Sequence, residues 1–153
     1  KRIICVTGDG SIMMNLQELA TIHYKRLPIK IFILNNDGYH SIRQTQKNFF
    51  PDNIAGTSKN DGIGFPDFKK IGKAFKNKSY QINTEEDLKN IFNKRHFNNN
   101  KPAIYVLKIE KKQEFQPKLK SRVGSNGKIK TPELHDMWPF LSKKEIKTNL
   151  ILQ

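Results

Sequence analysis

Arg2-Ile3-Ile4-Cys5-Val6-Thr7, followed at once by Gly8-Asp9-Gly10-Ser11, decides the fold class of this chain. The first six positions form a short, apolar, largely β-branched run, and the run stops at a glycine-rich turn. That pattern predicts a buried strand ending in a tight turn. Beyond it, Leu16, Leu19, Ala20 and Ile22 recur at helical spacing over residues 15–26, and Pro28 forbids continuation. Residues 29–34 form a second apolar strand ending at Asn35-Asn36-Asp37-Gly38, a turn by composition.

The same alternation continues down the chain. Residues 45–64 are polar and carry Pro51, Gly56, Gly62 and Gly64, so a long loop is expected there. Pro66 opens a helix with Phe68, Ile71, Ala74 and Phe75 on one side. Residues 80–82 are a short strand. Thr84 with Asp87 three positions later forms a helix-capping box ahead of Leu88, Ile91 and Phe92. Residues 103–109 are a further β-branched strand. The order β-α-β-loop-α-β-α-β implies an α/β fold, a doubly wound parallel sheet with helices on both faces. From residue 111 the pattern breaks. Residues 1–110 read as one domain, and 111–153 as an irregular tail with a short helix near 142–150.

The composition supports one globular core. A chain of 153 residues with ten Phe and four Tyr is long and aromatic enough to bury one. No apolar run approaches the roughly 20 residues of a membrane span, and no stretch reads as a signal peptide. With Cys5 as its single cysteine, the chain can form neither an internal disulfide nor a Cys-rich metal site, and a cytoplasmic setting is expected. The net charge of +14 raises nucleic acid as a partner. Against that, 23 basic residues are Lys and only 5 are Arg, spread along the chain beside 15 Asn and 18 Ile. A/T-rich codons produce that composition, and Arg, the residue suited to bidentate phosphate and base contacts, is scarce. Nucleic acid and membrane are therefore not expected partners, and a non-catalytic basic binding module stands as the alternative function.

In an open parallel sheet, ligands sit at the carboxyl ends of the strands. Two turns fall there, 8–11 and 35–39. Gly8 and Gly10 let backbone approach a ligand closely. Asp9 offers a hard anionic oxygen, Asn36 a neutral amide oxygen, and Gly38 a carbonyl, a donor set suited to Mg²⁺ beside phosphate oxygens.

These residues carry a resemblance. Gly8-Asp9-Gly10, then 24 residues, then Asn35-Asn36 resembles the thiamine-diphosphate motif. The flanks 4–11 and 32–39 are similar to those of pyruvate decarboxylases and acetolactate synthases. Gly64-Phe65-Pro66-Asp67-Phe68, Thr131-Pro132-Glu133-Leu134 and Met137-Trp138-Pro139-Phe140-Leu141 resemble the acetolactate synthase-like subgroup. The resemblance implies thiamine diphosphate and Mg²⁺ as cofactors. It implies that Asp9, Asn36 and Gly38 ligate the metal, with position 38, variable in the family, acting through its carbonyl. Gly8, Gly10 and Ser11 would hold the diphosphate, and Tyr39, His40 and Ser41 would follow the cofactor.

The resemblance also implies decarboxylation and carboligation of a 2-oxo acid such as pyruvate. The partners expected are that substrate, a pyrimidine-binding domain and a homo-oligomeric copy. The family's activating glutamate lies in the pyrimidine-binding domain, to which nothing here corresponds. The catalytic residue is therefore unknown, and the chain alone is expected to be inactive. In the family the strand at Ile3 follows a helical segment, so the domain is expected to be truncated at its N-terminus. Ile12, Met13, Met14, Phe49 and Phe50 are candidates for an apolar face that drives association. Cys5 is expected to be buried and inert. His23, His96 and His135 lack zinc spacing, and Lys69-Lys70, Lys111-Lys112 and Lys143-Lys144 read as solvated faces.

Overall fold

The computed structural model describes residues 1–113 and 116–150. By internal contacts the chain divides into two compact units, Lys1–Lys111 and Lys112–Gln153. The first unit holds a four-stranded sheet made of β1 (Ile3–Gly8), β2 (Ile29–Asn35), β3 (Lys78–Ile82) and β4 (Ala103–Lys108). Its spatial order is β1-β2-β4-β3, and every pair is parallel. Between β1 and β2 run α1 (Asp9–Ile12), a 3-10 turn at Met13–Asn15 and α2 (Glu18–Tyr24). Between β2 and β3 come α3 (His40–Phe49), a 3-10 turn at Lys59–Asp61 and α4 (Phe68–Ala74). Between β3 and β4 lie α5 (Glu85–Phe92) and α6 (Arg95–Asn98).

The strands' period of two builds two cores. Ile31, Ile33, Ile104 and Val106 face one side and pack with Ile12, Leu19 and Phe68. Phe32, Ala103, Tyr105 and Leu107 face the other and pack with Ile82, Ile91 and Phe97. Connections that advance along the sheet, β1 to β2 and β2 to β3, lay helices on the first face. The connection that turns back, β3 to β4, lays its helices on the second. Right-handed crossovers require that reversal of face with direction. Residues 103–107 are buried throughout because β4 is central, which is why that stretch reads as continuously apolar.

Four expectations change. The strand at Ile3 is not buried. β1 is an edge strand, and Ile3, Ile4 and Val6 are all more than half exposed. Cys5 is therefore an exposed free thiol rather than a buried one. The stretch 45–64 is not a loop throughout, since α3 takes its first five residues. Of the candidate apolar face, Ile12 belongs to the core and Met13 packs against it, whereas Met14 and Phe50 are exposed.

One lysine is fully buried. Lys30, at the start of β2, donates from Nζ to the Lys101 carbonyl at 2.6 Å and to Asn99 Oδ1 at 3.0 Å. Burial lowers its pKa, and the nearby charge of Arg2 lowers it further.

The second unit holds a small antiparallel pair, β5 (Arg122–Val123) with β6 (Ile129–Lys130), and α7 (Lys143–Asn149). Inside it, the ammonium groups of Lys118 and Lys120 each stand 5.2 Å from the Trp138 ring centroid. No helix among the described residues is long and apolar enough to cross a membrane.

Candidate functional site

The two turns predicted at the strand ends meet through one carboxylate. β1 and β2 are neighbours and parallel, so their carboxyl ends lie side by side. Gly8 is the extended residue at the head of α1, and Asp9, the next residue, is 2% exposed. Asp9 Oδ1 accepts from the Gly10 N–H at 2.8 Å. Asp9 Oδ2 accepts from the N–H groups of Asn36 and Gly38, both at 3.1 Å. The carboxylate is thus the knot that ties the first turn to the second. Asn35 Oδ1 accepts from the Asp37 N–H at 3.1 Å, and Asp37 takes a left-handed conformation that tightens the second turn.

The residues present fit a hard cation. Asn36 Oδ1 is buried and has no hydrogen-bond partner among the described residues, a costly state for an amide oxygen that a cation would relieve. It belongs to the turn that Asp9 holds, since the Asn36 N–H donates to Asp9 Oδ2. Among the described residues no three His, Cys, Asp or Glu side chains form a metal cluster. A cation here would rest on one carboxylate, one amide and one carbonyl, which suits Mg²⁺ completed by phosphate and water oxygens.

Within the two site turns, glycine is required at two positions. A Cβ at Gly10 would lie 2.3 Å from the Tyr39 ring. A Cβ at Gly38, whose φ is +155°, would lie 2.1 Å from the Thr57 carbonyl oxygen. Position 38, which varies in the family that the motif resembles, is therefore committed to glycine here by the neighbouring loop. The Gly10 N–H already serves Asp9, so a diphosphate would compete for it. Ser11 is exposed on α1, with its hydroxyl open to a ligand. Tyr39 precedes α3 and packs edge-on against Phe65, with ring centroids 5.4 Å apart. His40 begins α3 and is buried, whereas Ser41 is exposed. Tyr39 and His40 thus sit beside the turn as packed side chains.

Several residues around the site were not singled out from the sequence. Lys111, expected only as part of a solvated face, pairs with the Asp37 carboxylate, and Arg43, which no motif marked, donates to the Lys111 carbonyl at 3.4 Å. The Thr57 carbonyl accepts from the Tyr39 N–H at 2.8 Å. Ser58 and Asp61 form a capping box on the 3-10 turn. That Ser-x-x-Asp spacing is a visible signal, but in a polar stretch it reads as a generic turn. No sequence signal marks Thr57. A cavity of about 530 Å³ opens beside the site at the ends of β2, β3 and β4, with Asn35, Asp37, Gln81, Asn83 and Lys108 among its lining.

Comparison with known proteins identifies the family of the chain. Residues 1–107 match the family described as thiamine pyrophosphate enzyme, C-terminal TPP binding domain. The chain is 31% identical over 143 residues to the acetolactate synthase isozyme 2 large subunit of Escherichia coli K12, covering 91% of this chain and 21% of that protein. It is 38% identical over 86 residues to the acetolactate synthase large subunit of Pyropia yezoensis, covering 56% of this chain and 14% of that one. To the chloroplastic acetolactate synthase 1 of Zea mays it is 33% identical over 91 residues, 57% of this chain and 14% of that protein. The chain thus spans about a fifth or less of the relatives' length. Its parallel sheet, its paired turns at the strand ends and the match over residues 1–107 place the chain in the C-terminal thiamine pyrophosphate-binding domain family of thiamine pyrophosphate enzymes.

Proposed function

We propose that this chain anchors the Mg²⁺-diphosphate end of thiamine diphosphate in an acetolactate synthase-like enzyme. That enzyme would decarboxylate a 2-oxo acid such as pyruvate and join the product to a second carbonyl compound. The observation that carries the proposal is the buried Asn36 Oδ1, which has no hydrogen-bond partner among the described residues and belongs to a turn tied by the Asp9 carboxylate. Asp9 and Asn36 would hold the metal through side chains and Gly38 through its carbonyl. Gly8, Gly10 and Ser11 would border the diphosphate, and Tyr39 and His40 would flank it. When bound, the cofactor supplies the electron sink for decarboxylation. The chain's own work is to fix where the cofactor lies, by holding one end on two rigid strand ends.

The further partners in this reading are a pyrimidine-binding domain, which takes the other end of the cofactor, and a second copy of the enzyme. The setting would be cytoplasmic. Calorimetry of this chain with thiamine diphosphate tests the reading. Binding should require Mg²⁺ and be weaker than about 1 μM, or −8 kcal/mol, because one half of the cofactor's contacts is supplied here. Equal binding in the presence of a chelator would overturn it. The chain alone should release no CO₂ from pyruvate.

A further inference from the structure

The segment after α3 is built around a single carboxylate. Asp61 Oδ1 accepts from the backbone N–H groups of Thr57 and Ser58, both at 2.5 Å. Asp61 Oδ2 accepts from the hydroxyls of the same two residues, both at 2.9 Å. The Gly56 N–H donates to the Asp61 carbonyl at 2.8 Å and closes the loop. Desolvation pushes the Asp61 carboxyl pKa up, but the bonds from Ser58 and Thr57 outweigh it and hold it down at about 2. The group is an anion throughout the neutral range.

This knot fixes Thr57, which is fully buried. The Thr57 carbonyl faces the second site turn. It accepts from the Tyr39 N–H at 2.8 Å and from Arg43 Nη2 at 3.4 Å. Gln46 on α3 clamps the same segment twice, its amide exchanging hydrogen bonds of 3.0 Å with the Ala55 backbone. The Tyr39 N–H and the Gly38 C=O belong to one peptide plane. In a trans peptide they point in opposite directions. A Tyr39 N–H directed at Thr57 therefore turns the Gly38 carbonyl away from the loop. The Gly38 N–H, one peptide earlier, is held by Asp9. Both sides of Gly38 are then fixed, one by Asp9 and one by the loop.

We propose that Asp61 is a positioning residue for the cation site. By holding Thr57 it sets the plane of the Gly38–Tyr39 peptide, and so the direction in which the Gly38 carbonyl offers its oxygen. The inference rests on the reading of Asp9, Asn36 and Gly38 as metal ligands. It adds that a carboxylate outside the ligand set, 23 residues beyond Gly38, tunes cation affinity. Residues that orient metal ligands typically change affinity by about 10- to 100-fold when removed.

The test uses this chain with Mn²⁺ as the probe, thiamine diphosphate in excess, and paramagnetic broadening of backbone amides read by NMR. Wild type should show saturable broadening centred on Asp9, Asn36 and Gly38. Asp61→Asn, nearly isosteric but a poorer acceptor, should weaken Mn²⁺ affinity about tenfold and speed Tyr39 amide exchange. The thermal midpoint should change little, because the two sheet cores are untouched. Absence of saturable broadening at those residues in wild type would overturn the metal reading and the inference with it. Wild-type binding matched by Asp61→Asn would overturn the inference alone. Should Asp61→Asn fail to fold, Ser58→Ala removes one of the four donors and should give a smaller loss in the same direction, with unchanged affinity again refuting the role.

Discussion

The Tyr39 ring occupies the space that a side chain at Gly10 would need: a Cβ built there meets the ring at 2.3 Å. The two residues come from different turns, after different strands, and neither turn can be altered without the other. The ring is not free to swing clear, since it packs edge-on against Phe65, which in turn packs on Phe68 of the core. Gly10→Ala should therefore cost about 1–3 kcal/mol, the usual range for overpacking. It should also displace Tyr39 from the site. Chemical denaturation measures the first effect and Mg²⁺-dependent cofactor binding the second. Wild-type stability in the variant would show that the ring yields freely.

Asp9 carries structural as well as ligand work. It is buried, and three backbone N–H groups donate to it. Asp9→Ala should abolish Mg²⁺-dependent cofactor binding and also destabilise the chain, by about 1–3 kcal/mol for each buried N–H left without an acceptor. Asp9→Asn keeps an acceptor oxygen and the shape, so it should recover part of the stability but little of the metal affinity. Asn36→Ala should weaken binding less than Asp9→Ala, because a neutral ligand is lost rather than an anion. Cofactor titrations and melts on the three variants check this. Equal affinity in Asp9→Asn and wild type would remove the metal assignment.

Much of this was legible beforehand, and the failures share a cause. β2 and β4 are central, so residues 31–34 and 103–107, which lie within the two stretches read as strands, show their burial as unbroken apolar runs. The capping box at Thr84 and Asp87 is local chemistry, and it forms as read. The two site turns were visible because strand ends and glycine-rich turns coincide. β1 was misjudged because its sequence resembles that of β2, while its place at the sheet edge is a property of the neighbours. Residues 45–49 read as loop because α3 is polar and only His40 in it is fully buried. The Asp61 knot was missed because its purpose lies in a backbone contact to Tyr39, 18 residues before Thr57, and backbone contacts leave no composition signal.

Lys30 gives a pH signature. Its pKa is lowered in the folded chain, so between that value and the unfolded value of about 10.4 the unfolded chain binds more protons. Stability should then rise with pH across that window, while below it the full cost of burying the cation is present. Lys30→Met removes this slope, and it leaves the Lys101 carbonyl without the donor it now has. Urea unfolding of wild type and variant over a pH series from neutrality up to the unfolded value of about 10.4 compares them. A difference between the two that does not change with pH would show that Lys30 does not titrate in this way.

Cys5 reports on the open edge of the sheet. It lies in β1, whose first four residues are exposed on both faces, with one pairing edge taken by β2 and the other open. Exposed edge strands with apolar faces pair readily with another chain. The Cys5 thiol should react with a small aromatic disulfide at a rate similar to that of the denatured chain. Self-association measured by light scattering should increase with concentration, and Val6→Lys should reduce it by placing a charge on the edge strand. Two outcomes would be informative in opposite senses. A thiol protected in dilute solution would mean that β1 is covered within a single chain. A clean 17.8 kDa monomer at high concentration, with a reactive thiol, would mean that the edge is open but does not drive association.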